Sequence, residues 1–164
     1  MDAEQVLLVW LNQYRDLIYR VVVSYAADLS GQEDLFQEIT LALWRSIPKF
    51  KGQCKESTWI YRVALNTAID QLRHRSRRPV FELFEDHAHW VNFEEPDEEL
   101  EMAAKKIRQL EPVDRSLVLL YLDGRTYEEI GAILGLETGS VGVKLNRAKQ
   151  KLKQLINQKA VNHD

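Results

Sequence analysis

The chain has 164 residues, enough for one domain of ordinary size or two small ones, and its 45% hydrophobic content excludes wholesale disorder. Its single cysteine, Cys54, excludes an intrachain disulfide, and its longest apolar runs are too short to span a bilayer. The net charge of −3 does not exclude nucleic-acid binding, because affinity for DNA depends on local rather than total charge.

Charge is divided unevenly along the chain. Residues 1–78 carry a net charge of +2 and residues 105–164 a net charge of +4, whereas residues 79–104 carry nine acidic groups and no lysine or arginine. The acidic N-terminus also lacks the basic start of a signal peptide. We therefore expect a cytoplasmic protein without membrane insertion, in which an acidic segment separates two mildly basic blocks.

The first block, residues 1–79, has helical periodicity. Its apolar residues form one stripe between residues 6 and 25, and Ser30 and Gly31 then break the pattern. A second helix is predicted from about residue 32 to 46, and a polar loop follows. Ser57 or Thr58 is expected to cap the third helix.

Residues 80–101 show no sustained period and are interpreted as an acidic linker. Helical period then resumes, with Pro112 in the first turn of a helix that Asp123 and Gly124 close. The predicted fold is therefore all-α, with helical domains at 1–79 and 102–160.

A helix-turn-helix ends the second domain. Ile130 and Ile133 are expected to face inward on its first helix, and Gly135 to end that helix in the left-handed conformation. A stripe at Val141 and Leu145 is expected to seat the second helix. The outer face of that helix carries Ser140, Lys144, Arg147 and Lys151, with Thr138 near its start. An ordinary solvated helix is the alternative, but period, turn glycine and basic face together favour DNA binding.

Three segments resemble bacterial sigma factors of the extracytoplasmic-function group. Residues 110–130, LEPVDRSLVLLYLDGRTYEEI, are similar to the fourth sigma region, and residues 34–44, DLFQEITLALW, are similar to the second. Residues 59–70, WIYRVALNTAID, resemble the promoter-melting segment of that second region. The resemblance implies a factor that binds core RNA polymerase and directs it to promoters.

The same resemblance implies partners and site residues. Asp34, Gln37 and Glu38 correspond to the patch that docks on the clamp helices of the polymerase beta-prime subunit, although a solvated polar face is the alternative. The other implied partners are the polymerase beta subunit, promoter DNA and an anti-sigma factor that holds the two domains together.

The loop and helix that follow correspond to the reader of the single-stranded minus-ten element. The implied DNA-binding residues are Lys49, Phe50, Lys51, Lys55, Arg62, Asn66 and Arg73. Lysines beside an aromatic plane suit unstacked bases, whereas Trp59 is better interpreted as a core residue. Glu56 stands where many relatives have an apolar residue, so the loop pocket is expected to differ.

The implied minus-thirty-five readers are the five outer-face residues of the last helix: Thr138, Ser140, Lys144, Arg147 and Lys151. Gly142 and Val143 depart from the polar or basic residues common there. Either the promoter is read differently at this element or phosphate contact dominates.

Other chemistry finds little support in the sequence. His87 and His89 lie among carboxylates, but with no cysteine or third histidine nearby we expect no metal site and no cofactor. No nucleophile motif or phosphate loop occurs, which argues against an enzyme, and Cys54 has no paired histidine motif. A free-standing helix-turn-helix regulator remains the alternative, and it differs by binding duplex DNA without polymerase.

Overall fold

The computed structural model describes residues 1–74 and 98–161, and within these ranges the chain is helical with no strand, which confirms the all-α prediction. The described residues form eight α-helices: α1 (Ala3–Gln13), α2 (Arg15–Tyr25), α3 (Leu29–Ser46), α4 (Glu56–Arg73), α5 (Glu98–Ile107), α6 (Pro112–Leu122), α7 (Tyr127–Leu134) and α8 (Thr138–Val161). A short 3-10 turn, Ile47–Lys49, follows α3. None of the described helices combines the length and the apolarity that crossing a membrane requires.

Two boundaries in the N-terminal domain differ from the prediction. The apolar stripe is divided into α1 and α2 at Tyr14, whose backbone leaves the helical conformation. Helix α3 begins at Leu29, because the Asp28 carboxylate accepts a hydrogen bond of 2.7 Å from the Gly31 amide and caps the helix. Gly31 therefore lies in the first turn of α3 and does not interrupt it.

The expected cap of α4 is also wrong. The helix begins at Glu56 and its N-cap is Lys55, whose side chain makes no capping hydrogen bond. Ser57 and Thr58 are consequently inside the first turn, where Thr58 is buried. Periodicity located this helix correctly, but the cap chosen by residue type was two or three residues too late.

The core of the N-terminal domain forms where α3 packs along α4 and against α1 and α2. Leu35, Ile39 and Leu43 of α3 are fully buried and meet Ile60 and Leu65 of α4 in one apolar cluster. Each such side chain contributes roughly 1.5–3 kcal/mol by leaving water. This packing fixes the direction of α4, the helix that carries the predicted minus-ten residues.

In the C-terminal domain, Pro112 opens α6 and Asp123 ends it, as the sequence indicates. Gly124 follows with a φ of 78°, which a residue with a side chain rarely adopts. Helix α5 begins at Glu98, inside the segment interpreted as the linker. A second apolar cluster, Ile107, Leu110, Val118 and Ala148, fastens α8 to α5 and α6.

The two domains are in direct contact. Helix α2 packs against α5 and α6, and α4 packs against α6 and α7. The main apolar cluster runs without interruption from Leu35 and Ile60 in the first domain to Leu117 and Ile130 in the second. The sequence pattern of two blocks joined by an acidic segment does not reveal this contact.

Candidate nucleic-acid interface

The helix-turn-helix is built by α7, a tight turn and α8. Thr126 and Glu129 form a reciprocal capping box, with a bond of 3.1 Å from the Glu129 amide to the Thr126 hydroxyl oxygen. The hydrogen bond from the Thr126 backbone amide is the largest cause of the lowered pKa of Glu129, and Arg125 also favours its charged form. This cap was not foreseen, although threonine three residues before glutamate is its sequence signature.

The turn itself needs two glycines. Gly135 has a φ of 70°, which confirms the left-handed helix end predicted for it. A Cβ on Gly131 would lie 2.6 Å from the Leu136 carbonyl oxygen, so only glycine allows the turn to fold back this closely on α7. The turn therefore fixes the angle between α7 and α8.

Helix α8 is seated by its apolar stripe and exposes a basic face. Val141, Leu145 and Ala148 are fully buried, as predicted. Thr138, Lys144, Arg147 and Lys151 are exposed, and Ser140 is half-buried. The Ser140 hydroxyl donates to the Glu137 carbonyl (2.9 Å), and the Lys151 ammonium pairs with Asp114 at 2.9 Å. Lys144 and Arg147 are thus the cations of this face that the first three helical turns direct outward.

Gly142 and Val143 have distinct structural roles. A Cβ on Gly142 would lie 3.4 Å from the Tyr127 ring, so this position faces α7 rather than solvent. Val143 is 54% exposed. At 3.6 residues per turn it shares an arc of about 100° with Ser140, Lys144 and Arg147. The outer face of the helix therefore has an apolar residue among its polar and basic ones.

The loop before α4 is anchored by aromatic packing. The Phe50 ring is half-buried and lies 5.6 Å from the Trp10 ring centroid and 5.4 Å from the Trp59 centroid. Trp59 is partly buried against the core, in accord with its interpretation, and its indole N–H donates to Ser46 Oγ at 3.0 Å. Lys49, Lys51 and Lys55 are exposed around this anchor.

On α4, the three predicted DNA-binding residues differ in their surroundings. Asn66 and Arg73 are exposed. Arg62 instead reaches across to the other domain, where its Nη2 donates to the Ala132 carbonyl at 2.6 Å, and its guanidinium lies 6.0 Å from the Trp59 ring centroid. Arg62 is therefore occupied by the C-terminal domain in this structure.

The predicted polymerase-docking residues lie on α3. Asp34, Gln37 and Glu38 are all half-buried, and they follow one another at three- and one-residue steps on the helix. Their spacing places Asp34 and Glu38 one turn apart on the same side. The structure thus brings the three side chains to one stretch of α3, separate from the buried stripe of Leu35 and Ile39.

The comparisons with known proteins match both domains. The family model of sigma-70 region 2 matches residues 10–78, and the sigma-70 region 4 model matches residues 100–152. The RNA polymerase sigma-H factor of Pseudomonas aeruginosa is 30% identical over 156 residues, which cover 85% of this chain and 80% of that protein. The chain belongs to the sigma-70 family.

Further comparisons place it in the extracytoplasmic-function group. The sigma factor SigE of Mycolicibacterium smegmatis, an extracytoplasmic-function sigma factor, is 29% identical over 155 residues, covering 89% of this chain but only 60% of that protein. The sigma factor RpoE from Bartonella quintana, solved in complex with the anti-sigma factor NepR, has the same fold, with a TM-score of 0.66 and 23% identity. That likeness covers 94% of this chain and 96% of the solved one.

Among the described residues of this sigma factor is a cluster around Asp123 that the sequence did not reveal. Asp123, at the end of α6, pairs with Arg20 of α2 at 2.7 Å and accepts a hydrogen bond from the Tyr61 hydroxyl of α4. Burial, then the bond to Asp123, raises the pKa of Tyr61 to about 12. Arg125 lies 3.2 Å from Asp123 and packs on the Tyr61 ring. No local signal identifies such a cluster, because its members are far apart in the chain.

Metal binding has no support in the described ranges, where no group of histidine, cysteine or acidic side chains is arranged to hold an ion. His87 and His89, the only candidates from the sequence, lie outside the described residues. Cys54 is a half-buried free thiol in the loop before α4.

Proposed function

We propose a division of labour for this sigma factor in which the N-terminal domain docks on core RNA polymerase and opens the minus-ten element, while α8 holds the minus-thirty-five element. The observation that carries the proposal is the basic arc of α8, directed outward by a turn that glycine alone permits. A helix held in this way is suited to the DNA major groove.

Core docking is assigned to Asp34, Gln37 and Glu38 of α3. These three side chains are half-buried. Their carboxylate and amide oxygens can accept hydrogen bonds from a partner surface that carries basic or amide groups. The beta-prime clamp helices of core polymerase are the partner that we propose for this face, with the beta subunit contacting other parts of the chain.

Minus-ten binding is assigned to the exposed cations of the loop and to α4. Lys49, Lys51 and Lys55 supply charge for the DNA backbone, and Asn66 and Arg73 continue the same surface along α4. We assign Phe50 an anchoring role and not base stacking, because its ring already packs between the rings of Trp10 and Trp59. It holds the loop in place and the lysines contact DNA.

Minus-thirty-five binding is assigned to Thr138, Ser140, Lys144 and Arg147, with Lys151 at the far end beside its partner Asp114. Val143 adds an apolar contact on this face, which is the side-chain type that recognises the methyl group of thymine. The element would then be read partly by shape and charge and partly by one methyl contact.

The chain itself would perform no catalytic step, because core polymerase supplies the chemistry of RNA synthesis. Its place of work would be the cytoplasm, where promoters and polymerase are found. We also propose that an anti-sigma factor regulates it, since the RpoE protein of the same fold was solved with one.

A run-off transcription assay with purified core polymerase tests the proposal. A promoter-specific transcript should depend on this protein, and Asp34→Lys together with Glu38→Lys should weaken its binding to core polymerase. Tight binding to promoter duplex without core polymerase, and no transcript with it, would instead identify a free-standing helix-turn-helix regulator.

A further inference from the structure

A stripe of three exposed polar residues runs along α4. Asn66, Asp70 and Arg73 are all exposed, and they follow one another at four- and three-residue steps. At 3.6 residues per turn and 1.5 Å per residue, they share an arc of about 60° and span roughly 10 Å of the helix. Ala64 and Ala68 lie on the opposite side of α4 and are fully buried. The stripe therefore faces away from the core of its domain.

Asp70 is the anionic member of this surface. The other exposed residues assigned to the minus-ten element are three lysines of the loop, Asn66 and Arg73. A carboxylate beside them is repelled by DNA phosphates. It also lies in the last turn of α4, where the helix dipole disfavours negative charge. Within the described ranges no residue pairs with this carboxylate, so neither helix electrostatics nor a described contact accounts for it.

The hydrogen-bonding capacity of a carboxylate restricts the base that it can recognise. An ionised carboxylate accepts hydrogen bonds and donates none. In the major groove, guanine and thymine present only acceptors, and adenine presents its N6 amino group beside the acceptor N7. Cytosine alone presents an amino group, N4, with no acceptor next to it on the same base. A carboxylate on a DNA-reading helix therefore selects cytosine.

We propose that Asp70 reads the N4 amino group of a cytosine in the minus-ten element. The proposal rests on the assignment of α4 to that element. Asp70 lies about 6 Å from Asn66 along the helix. Because stacked bases are about 3.4 Å apart, the cytosine lies within about two base pairs of the base that Asn66 contacts. Phosphate repulsion weakens binding to every promoter and the amino group offsets it only where cytosine is present, so Asp70 increases selectivity.

Run-off transcription from a template pool tests this role with the full-length protein and purified core polymerase. Both promoter elements are randomised, and each template carries a barcode in its transcribed part. Sequencing the transcripts then gives the base preference at every promoter position. The unmodified protein should favour cytosine at one minus-ten position by about tenfold over any other base, which is within the usual cost of one mismatched base pair.

Asp70→Asn changes the hydrogen-bonding groups and hardly changes the size of the side chain. Asparagine suits N6 and N7 of adenine, so the preference at that position should shift from cytosine to adenine. Asp70→Ala should lose the preference and increase transcription from templates without the cytosine, because it removes a charge that phosphates repel.

Asp16→Asn is the matched control. It removes the same charge from an exposed carboxylate of α2, a helix to which no promoter contact is assigned. Its base preferences should equal those of the unmodified protein at every position.

A base analogue identifies the atom that Asp70 contacts. The base 2-pyrimidinone lacks only the 4-amino group of cytosine. At the selected position it should reduce open complexes about tenfold with the unmodified protein and less than about twofold with Asp70→Ala. An equal loss with both proteins would overturn the contact.

The transcripts separate the role of Asp70 from the proposed function. Specific transcripts whose base preference is the same in Asp70→Asn and the unmodified protein would reject the role of Asp70 and leave the function standing. A preference for a base other than cytosine at the position that Asp70 controls would also reject it. No specific transcript from any template with the unmodified protein would reject the promoter assignment, and the role of Asp70 with it.

Discussion

Replacing Phe50 with leucine separates an anchoring role from a base-stacking role. Leucine keeps the ring's apolar character and much of its volume but loses the two ring contacts, with Trp10 at 5.6 Å and with Trp59 at 5.4 Å. Aromatic pairs are worth about 0.5–1.5 kcal/mol each beyond their burial. Because Phe50 is half-buried, we expect a loss of about 1 kcal/mol in the free energy of unfolding, or roughly 3 °C in the melting temperature.

Promoter opening provides the second measurement for the same variant. A ring that stacks on an extruded base contributes about 1–3 kcal/mol, so its loss would reduce open complexes about five- to 150-fold. An anchoring ring predicts a change below about twofold at temperatures where Phe50→Leu is folded, read from 2-aminopurine fluorescence in the minus-ten strand.

Lys51, an exposed residue next to Phe50, provides a control in which DNA binding changes and stability does not. Lys51→Ala should leave the free energy of unfolding unchanged and weaken promoter binding, with a reduced dependence on salt concentration. Unchanged stability of Phe50→Leu combined with a tenfold loss of open complexes would refute the anchoring argument and restore Phe50 as a base platform.

Three further predictions follow from the C-terminal domain and its contacts. Because burial and Asp123 raise the pKa of Tyr61 from 10 to about 12, the contact between Tyr61 and Asp123 is fully stabilised below pH 10 and weakens as the pH rises toward 12. Absorbance at 295 nm, compared with Tyr61→Phe, should show this late titration, and Asp123→Asn should lower the pKa of Tyr61 toward 10. Thr126→Ala should cost about 1 kcal/mol in denaturant unfolding through loss of the α7 cap, and an unchanged midpoint would contradict the capping role. Deoxyuridine scanning of the minus-thirty-five element should find one thymine whose methyl contributes about fourfold to affinity, an effect absent in Val143→Ala; equal sensitivity in both proteins would exclude Val143 as its reader.

Helices and their buried faces were predictable because their causes are local. The stripe of Val141, Leu145 and Ala148 repeats at helical intervals, and Gly135 marks the one position that needs a left-handed backbone. The first residue of a helix was harder to predict. Asp28 lies outside the periodic segment, yet its side chain caps α3, so the helix begins about one turn earlier than the pattern indicates. Within each domain, the sequence pattern therefore predicted the helices well and the residues at which they begin less well.

The interface between the domains was beyond prediction for a different reason. Tyr61 and Asp123 are 62 residues apart, and neither belongs to a motif that specifies a partner. Tyr61 is buried, and the acceptor of its hydroxyl depends on how two folded domains meet. The packing of Phe50 was also not predictable, because Trp10, which contacts its ring, lies 40 residues earlier in the chain on α1.

The polar contacts between the domains are of two kinds. Several of its polar contacts end on backbone carbonyls in the last turns of α2 and α7, and these carbonyls accept water equally well once the domains part. Each such bond therefore contributes only about 0.5–1.5 kcal/mol net. The Asp123 cluster differs, because its carboxylate is shared by Arg20, Tyr61 and Arg125, and parting the domains separates charges that are partly shielded from water. These polar contacts add to the apolar cluster that runs from Leu35 and Ile60 in the first domain to Leu117 and Ile130 in the second, so both kinds of interaction hold the domains in contact.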